Sequence, residues 1–291
     1  MSTAATPAVS IVVTAYNAER YIGACVQAAL AQTFRDLEVV VLDDGSTDTT
    51  AQICASITDP RVRFLSRPRI GRCRALNEAV AAARGAYIAI NDADDLSLPQ
   101  RVEYTLAFLH SHPQLAYVGT GFLATDAFQE LSATAPAELV GSEGVIEWPS
   151  RAAVYRRNLF NNSTLMYPKT TWQRIGGYDE QLTNSEDYDF YLRALQCGPA
   201  ALLPGKTVLW YTNPDGFFKH KSKREHLRAI GVIKRRAHRL LGLPAWLQGY
   251  HLLWLAAFEL TQRYPRLIGV ANALRRRRRR RPLTTVQTRV P

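Results

Sequence analysis

The chain has 291 residues, of which 47% are hydrophobic and 21% charged. This composition is typical of one large or two small globular domains and excludes a disordered, collagen-like or disulfide-stapled chain. The four cysteines form no CxxC or Cys/His cluster, which argues against structural zinc and favours reduced thiols. No signal peptide is visible, and no stretch has the roughly 18 to 20 clean apolar residues of a membrane span. We therefore expect a cytoplasmic protein.

The net charge of +11 is distributed unevenly. Residues 219–291 contain 19 Lys or Arg and two acidic residues, whereas residues 1–218 contain 17 basic and 23 acidic residues. We predict a mildly acidic globular domain over residues 1–218 and a basic, amphipathic helical extension over residues 219–291. Electrostatics would draw the extension to polyanions.

Short apolar strands alternate with helical patterns in the first ninety residues. Strands are predicted at Val9–Thr14, Glu38–Leu42, Val62–Leu65 and Ala86–Ile90, with helices over residues 19–31, 47–57 and 73–83 between them. This alternation predicts an α/β fold whose mostly parallel, Rossmann-like sheet is flanked by helices. Ligands of such sheets bind beyond the carboxyl ends of the strands.

The alternation becomes less regular past Arg101. The patterns there predict a helix over 99–112, a strand over 115–121, a loop-rich insertion over 124–150, short helices over 170–175 and 187–197, and a strand over 207–212.

Two acidic clusters follow predicted strands, at residues 43–46 (DDGS) and 91–95 (NDADD). Adjacent carboxylates repel each other unless they are solvated, hydrogen-bonded or neutralised by a cation, and a hard divalent ion bound to substrate phosphate would resolve this conflict. Alone, DDGS is more typical of a turn and helix N-cap. The second cluster at a neighbouring strand end favours a shared cleft.

A third acidic group, Glu186 and Asp187, enters a predicted helix, where the helix dipole alone would stabilise it. Together, the segments VSIVVTAYN, LEVVVLDDGSTD, AYIAINDADD and IGGYDEQLTNSEDYDFYLRAL resemble the inverting glycosyltransferases of family 2, of the type that builds bacterial surface polysaccharides. The resemblance covers about residues 8–212. It implies the GT-A nucleotide-diphospho-sugar transferase fold, a nucleotide-sugar donor that we expect to be UDP-linked, a glycan or lipid-linked acceptor, and Mn²⁺ or Mg²⁺ as cofactor.

The resemblance also implies roles for individual residues. Thr14 and Tyr16 would border the nucleotide base, and Asp44 would accept a hydrogen bond from it. Asp94 would bind the metal directly, with Asp92 near the ribose or the metal's waters. Asp187 would be the general base, with Glu186 as the alternative for that role.

Three departures from the family pattern affect these expectations. Asn91 stands where an apolar residue is more usual, which would rearrange the ribose side. One of Arg67, Arg69 and Arg72 could reach the diphosphate, although solvated arginines at a helix start are the favoured interpretation. The QxxRW signature of processive synthases is absent, which favours single additions over polymerisation.

The extension combines charge with an apolar face. Its features are nine basic residues over 219–239, an apolar face at Leu247, Tyr250, Trp254 and Phe258, and the run Arg275–Arg281. Such a segment is typical of a peripheral anchor on an anionic membrane, here the cytoplasmic face of the inner membrane. Packing of the aromatic residues on the catalytic domain and a solvated arginine tail are the alternatives. A nucleic-acid partner is not expected, because no RNA-binding motif accompanies the charge.

Two rival functions remain. A sugar-phosphate nucleotidyltransferase would be expected to carry a Gly-rich, basic loop after the first strand, where this chain has residues 15–19 (AYNAE). A non-catalytic polyanion- or membrane-binding protein on a transferase scaffold would be expected to lack one of the carboxylates that this sequence retains.

Overall fold

The computed structural model describes residues 6–126, 128, 141–212, 222–249 and 253. By its contacts the chain groups into two compact units, residues 1–243 and 244–291. The predicted division between residues 218 and 219 stays a prediction. Of the extension, residues 219–221, 250–252 and 254–291 lie outside the described residues, and with them Tyr250, Trp254, Phe258 and the arginine run.

Eight strands form a single sheet in the order β3-β2-β1-β4-β7-β6-β8-β5. They are β1 (Val9–Ala15), β2 (Leu37–Asp44), β3 (Val62–Arg67), β4 (Tyr87–Asp92), β5 (Leu96–Ser97), β6 (Tyr117–Thr125), β7 (Met166–Pro168) and β8 (Ala200–Tyr211). The strands β3, β2, β1 and β4 are mutually parallel, whereas β7 runs antiparallel to β4 and to β6. The predicted α/β fold of the GT-A type, with its mostly parallel sheet, is confirmed, and the sheet is mixed, with four parallel and three antiparallel pairings among the described strands.

Helices cover the sheet and connect its strands. They are α1 (Ile22–Leu30), α2 (Thr50–Ala55), α3 (Arg72–Ala82), α4 (Arg101–Ser111), α5 (Arg151–Arg156), α6 (Lys169–Ile175), α7 (Glu186–Ala194) and α8 (Lys223–Leu240), with a short 3₁₀ turn at Asn162–Thr164. No helix among the described residues has the length and apolar character needed to cross a bilayer.

The local sequence explains the first half of the fold. Every residue of β1 and β2 is buried, as expected for β-branched strands that helices cover on both faces. In α1 the apolar residues recur at helical spacing, so that one face is buried against the sheet: Ile22, Cys25, Val26, Ala29 and Leu30.

The last long strand is the main difference from the predicted elements. Strand β8 begins at Ala200, seven residues before the predicted strand, and continues through Pro204 and Gly205. Those two residues interrupt a strand pattern in sequence. The structure accommodates them at a register shift in the β6–β8 pairing, between Thr120 and Phe122. A bulge at this point lets the ladder continue.

Parallel pairing brings three strand ends to one edge of the sheet. Thr14 at the end of β1 is in register with Leu42 of β2 and with Asp92 of β4. The loops that follow β1, β2 and β4 therefore emerge side by side, and this edge carries the predicted site.

Candidate active site

Asp44, the last residue of β2, is 2% exposed and contacts the loop that follows β3 through both carboxylate oxygens. Its Oδ1 accepts hydrogen bonds from the backbone N–H groups of Ile70 (2.7 Å) and Gly71 (3.1 Å), and its Oδ2 pairs with the Arg69 guanidinium. Gly45 has a φ of +72°, and a Cβ there would lie 2.5 Å from the backbone nitrogen of Arg69. The glycine is thus required by the close approach of the two loops.

The turn-and-cap interpretation of DDGS holds only for its first residue. Asp43 accepts hydrogen bonds from the N–H and the hydroxyl of Ser46, three residues further on, and these bonds close the turn. Helix α2 begins later, at Thr50, so neither aspartate caps it. Asp44 is instead positioned as a preformed acceptor at the strand end.

Thr14 lies near the end of β1, the strand that pairs with the strand of Asp44, and Tyr16 follows β1. Tyr16 is 44% exposed, and the guanidinium carbon of Arg69 lies 3.6 Å from the centroid of its ring. Thr14 is buried at the end of β1. Asn17, with a φ of +50°, accepts a hydrogen bond from the N–H of Thr47 (2.8 Å), which joins the TAYN loop to the DDGST loop. Arg69 therefore connects an exposed aromatic face to a buried carboxylate.

The three aspartates at the end of β4 and in the turn that follows it have different surroundings. The Oδ1 of Asp92 accepts hydrogen bonds from Arg72 (2.5 Å) and Asn162 (2.9 Å). Burial alone would raise the pKa of Asp92, but the Arg72 charge and these hydrogen bonds lower it below its usual range. Asp94, in the same turn, is partly exposed. Asp92 and Asp94, which we call the DxD-type turn (residues 92–94), are therefore both partly exposed at this edge of the sheet.

Asp95 points inward and has a structural environment. It is 1% exposed and accepts hydrogen bonds from the Ser163 hydroxyl and from the N–H of Tyr211 (3.0 Å). Burial, and then the neighbouring charges of Asp92 and Asp94, raise the pKa of Asp95 well above its usual range. Asp95 thereby ties the loop after β4 to β8.

The side chain of Asn91 is buried beneath the turn that carries Asp92 and Asp94, so its expected effect on the ribose side stays a prediction. Its Oδ1 accepts hydrogen bonds from Arg101 (2.9 Å) and Ser97 (2.7 Å), and its Nδ2 donates to the carbonyl oxygens of Asp92 and Asp95. The guanidinium of Arg101 is itself fully buried and donates to the Ile90 carbonyl. Asn91 is thus the polar support of the DxD-type turn, which is a role that the sequence did not reveal.

Arg72 joins the DxD-type turn to the third acidic group. It lies at the first position of α3, donates to Asp92 and also pairs with Glu186. Burial would lower the pKa of Arg72, but the two carboxylates raise it above its usual range. The interpretation of Arg72 as a solvated residue at a helix start is therefore wrong, because two carboxylates of the cleft hold it.

Arg67 and Arg69 differ from Arg72 in their partners. Arg67 forms a partly exposed pair with Glu78 (2.7 Å), outside this group, whereas Arg69 pairs with Asp44.

Asp187 lies in the first turn of α7, next to Glu186. Its Oδ2 accepts a hydrogen bond from the Asn158 amide (3.2 Å). Desolvation, followed by the negative charge of Glu186, raises the pKa of Asp187 to about 7. Ser185, which precedes this turn, has a left-handed backbone with a φ of +57°. A carboxylate with a pKa near neutrality at a cleft is suited to accept a proton.

The glycine turn before α7 has a packing reason. Gly177 has a φ of +75°, and a Cβ there would lie 2.5 Å from Oδ1 of Asn77. The Asn77 side chain binds both backbone groups of Tyr178, accepting from its N–H (2.7 Å) and donating to its carbonyl (2.9 Å). The turn therefore fixes the chain that leads into α7 against α3.

The described residues contain no group of three or more His, Cys, Asp or Glu side chains that could hold a metal ion by themselves. Mg²⁺ and Mn²⁺ sites, however, commonly use one or two carboxylates together with substrate phosphates and water. Asp94 at the cleft, with Asp92 beside it, fits that kind of donor set.

Several residues of the site were not found by sequence analysis. Asn158, Asn162 and Ser163 contact Asp187, Asp92 and Asp95 respectively. They belong to the segment RNLFNNST, residues 157–164, which follows an insertion of weak periodicity. The density of short polar side chains before a buried strand was the available signal.

Comparison with known proteins gives a family and a fold. Residues 10–174 match the sequence model described as "Glycosyl transferase family 2". Over 200 residues the chain is 36% identical to a chondroitin synthase of Escherichia coli, a match that covers 66% of this chain and 27% of the synthase. The chain spans about a quarter or less of the length of the chondroitin and hyaluronan synthases it matches.

Two solved structures share the fold. One is Staphylococcus aureus TarS in complex with UDP-GlcNAc, with a TM-score of 0.63 and 18% identity over 80% of this chain and 70% of that one. The other is the mannosyltransferase PcManGT of Pyrobaculum calidifontis in complex with GDP-Man and Mn²⁺, with a TM-score of 0.63 and 19% identity over 93% of this chain and 81% of that one.

Proposed function

Because its residues 10–174 match the family over more than half of the chain, the protein belongs to glycosyltransferase family 2, and we propose that it moves a sugar from a UDP-linked donor to a hydroxyl of a glycan or lipid-linked acceptor with inversion at the anomeric carbon. The observation that carries this proposal is the raised pKa of Asp187, about 7. Its helix is connected to Asp92 through the pairs that Arg72 forms with Glu186 and with Asp92.

The nucleoside would bind at the ends of β1 and β2. Asp44 already uses Oδ1 for two backbone N–H groups, so its Oδ2 is the atom available to a base N–H. Arg69 pairs with that oxygen and covers Tyr16. A bound uracil would displace Arg69 from Asp44 or share the carboxylate with it, and would lie along the Tyr16 ring beside Thr14. A UDP donor is supported by this acceptor carboxylate and by the UDP-GlcNAc bound to TarS.

A divalent ion, Mn²⁺ or Mg²⁺, would be held by Asp94, with Asp92 beside it, and by the donor phosphates. When bound, it supplies positive charge that stabilises the departing nucleoside diphosphate. The Mn²⁺ in the PcManGT complex supports this assignment.

Asp187 would act as the general base. It takes the proton of the acceptor hydroxyl while that oxygen forms a bond to the anomeric carbon, and the bond from that carbon to the diphosphate oxygen breaks on the opposite face. One such displacement inverts the configuration. General base catalysis typically contributes ~10²- to 10⁴-fold. Glu186 is the less suitable base, because it is 7% exposed and paired with Arg72.

A polymerising activity is the second candidate, because the chain is 36% identical over 200 residues to a chondroitin synthase. Single additions remain our proposal, since the QxxRW signature is absent from the sequence. The length of the products made with excess donor separates the two.

The proposal is tested with the full chain, a panel of nucleotide sugars and Mn²⁺. Thermal shifts identify the donor, and release of nucleoside diphosphate rather than pyrophosphate separates a transferase from a nucleotidyltransferase. We expect Asp187→Asn to abolish transfer while it preserves donor binding. Asp94→Asn should weaken metal-dependent donor binding as well. Asp36→Asn, which alters a carboxylate that contacts Ala8 away from the cleft, is the control. Retained turnover in Asp187→Asn would show that the base is another residue.

A further inference from the structure

Helix α8 has two faces of different chemistry. The side chains of Arg224, Arg228, Val232, Arg235 and Arg239 recur every three or four residues and are all exposed, so they form one stripe along the helix. We call this the α8 stripe. None of its four arginines forms an ion pair with another residue that the structure describes. At about 1.5 Å per residue, the stripe is about 22 Å long.

The stripe also exposes apolar surface. Val232, at its centre, is 45% exposed, whereas Leu240, which is 43% exposed, follows Arg239 about 100° around the helix and lies outside the stripe. Four cations around one exposed aliphatic side chain suit a contact with an anionic membrane surface, in which the cations meet the lipid phosphates.

The opposite face of α8 is fixed to the helix of the proposed base. His226 hydrogen-bonds with the hydroxyl of Ser185 (3.1 Å), the residue that precedes Glu186 and Asp187. Arg236 pairs with Asp179 (2.5 Å) and lies 3.7 Å from Asp189 in α7. A surface that binds through α8 is therefore connected by these contacts to α7, the helix that carries Asp187.

We propose that the α8 stripe docks the enzyme on an anionic lipid bilayer, so that the helix carrying Asp187 is held at the membrane surface. The part played by Asp187 rests on the function proposed above, whereas the docking itself does not. The sequence beyond α8 is also basic, with Arg275–Arg281 in the second unit. A nucleic-acid surface is disfavoured, because the stripe contains no aromatic side chain on which bases could stack.

The charge of the α8 stripe determines how strongly the protein should bind an anionic membrane. One arginine near an anionic membrane strengthens binding by about fivefold at physiological ionic strength. Removal of all four arginines should therefore weaken partitioning of the protein onto the vesicles by at least about tenfold. Added salt should weaken it further.

A probe on the stripe tests the proposal in the full chain. Cys197 is the one partly exposed cysteine, so Cys197→Ser gives a background in which Val232→Cys carries a polarity-sensitive fluorophore. Val145→Cys, at a position 86% exposed on the same unit, is the matched control. The vesicles contain phosphatidylglycerol and phosphatidylcholine, or phosphatidylcholine alone.

We expect the Val232 probe to shift to the blue with anionic vesicles only, and the Val145 probe to keep its aqueous spectrum. R224Q/R228Q/R235Q/R239Q should abolish the shift and weaken flotation by at least about tenfold. R35Q/R151Q/R174Q/K206Q removes four exposed charges outside α8 and should leave the blue shift and the flotation unchanged.

Three results would overturn the proposal. The first is that the protein floats with the vesicles while the probe at position 232 keeps its aqueous spectrum, which would place binding elsewhere in the chain. The second is equal loss of binding in the two quadruple variants, which would indicate net charge alone. The third is an RNA oligonucleotide that shifts the Val232 probe and displaces the vesicles. Sugar transfer to a soluble acceptor, measured without vesicles, reports separately on the proposed function.

Discussion

The Arg72 guanidinium and the Asp92 carboxylate form an ion pair across 2.5 Å between α3 and the end of β4. The same guanidinium pairs with Glu186, so one side chain joins the turn after β4 to the first turn of α7. The backbone N–H of the preceding residue, Gly71, donates to Asp44. The three acidic groups of the sequence are therefore held by one short segment, residues 69–72.

Replacement of Arg72 by Gln should release both carboxylates at once. Asp92 and Glu186 would lose their shared cation, and a misplaced catalytic group costs on the order of 10²-fold in kcat/KM. The free energy of unfolding should fall by up to about 3 kcal/mol, since a partly buried ion pair is broken from one side. Steady-state kinetics and urea unfolding measure the two effects.

Arg67→Gln is the matched control for Arg72→Gln. It removes an arginine from an exposed pair with Glu78, and such pairs contribute less than about 1 kcal/mol. If both variants retained full activity, Arg72 would not position the site.

The pH dependence of turnover should report on Asp187. Because only the ionised carboxylate accepts a proton, kcat/KM should rise as the pH increases through about 7, the pKa to which burial and Glu186 raise this group. Arg72 lowers the pKa of Asp187, so the rise should move to higher pH in Arg72→Gln. A profile that is flat between pH 5 and 8 would contradict the assignment of the base.

The same raised pKa predicts a stability difference of defined sign. A carboxyl whose pKa is higher in the folded than in the unfolded state reduces stability once the pH exceeds the unfolded value, and the loss is complete above the folded value. Asp187→Asn should therefore raise Tm at pH 8 and leave it unchanged near pH 3, where the carboxyl is protonated in both states. Equal Tm values for both proteins at pH 8 would contradict this prediction.

The attachment of α8 to α7 should depend on Arg236. The Arg236 side chain is 40% exposed, whereas those of its partners Asp179 and Asp189 are 16% and 2% exposed, and Asp189 has Arg193 as its other cation (2.6 Å). Because solvent screens the guanidinium, Arg236→Gln should destabilise the chain by about 1 kcal/mol in urea unfolding. Burial would raise the pKa of Asp179, but Arg236 lowers it below its usual value, so this stabilisation is present at neutral pH and is lost as the pH falls through the folded pKa.

Arg235→Gln is the neighbouring control for Arg236→Gln. Arg235 is exposed, and its replacement should change stability by less than about 0.5 kcal/mol. A comparable loss of stability in both variants would indicate a general effect of charge on α8 rather than the pairs with Asp179 and Asp189.

The sequence by itself determined the parallel half of the fold. Strands buried on both faces must be apolar along their whole length, so β1 and β2 are visible as unbroken β-branched runs. Because parallel strands end at one edge of a sheet, the strand pattern alone assigns Asp44 and Asp92 to neighbouring loops. The order of the four motifs is sufficient to indicate the family.

Only the tertiary structure decided which charges meet. Arg72 lies 20 residues from Asp92 and 114 from Glu186 in the chain, and no local period encodes such a contact. The sequence pattern therefore indicates a solvated helix start for Arg72 and an anomaly at Asn91. In the structure Arg72 neutralises two carboxylates and Asn91 supports a buried guanidinium. The physical reason is that partners for buried charges are selected by proximity in space, which depends on how β4, α3 and α7 pack together.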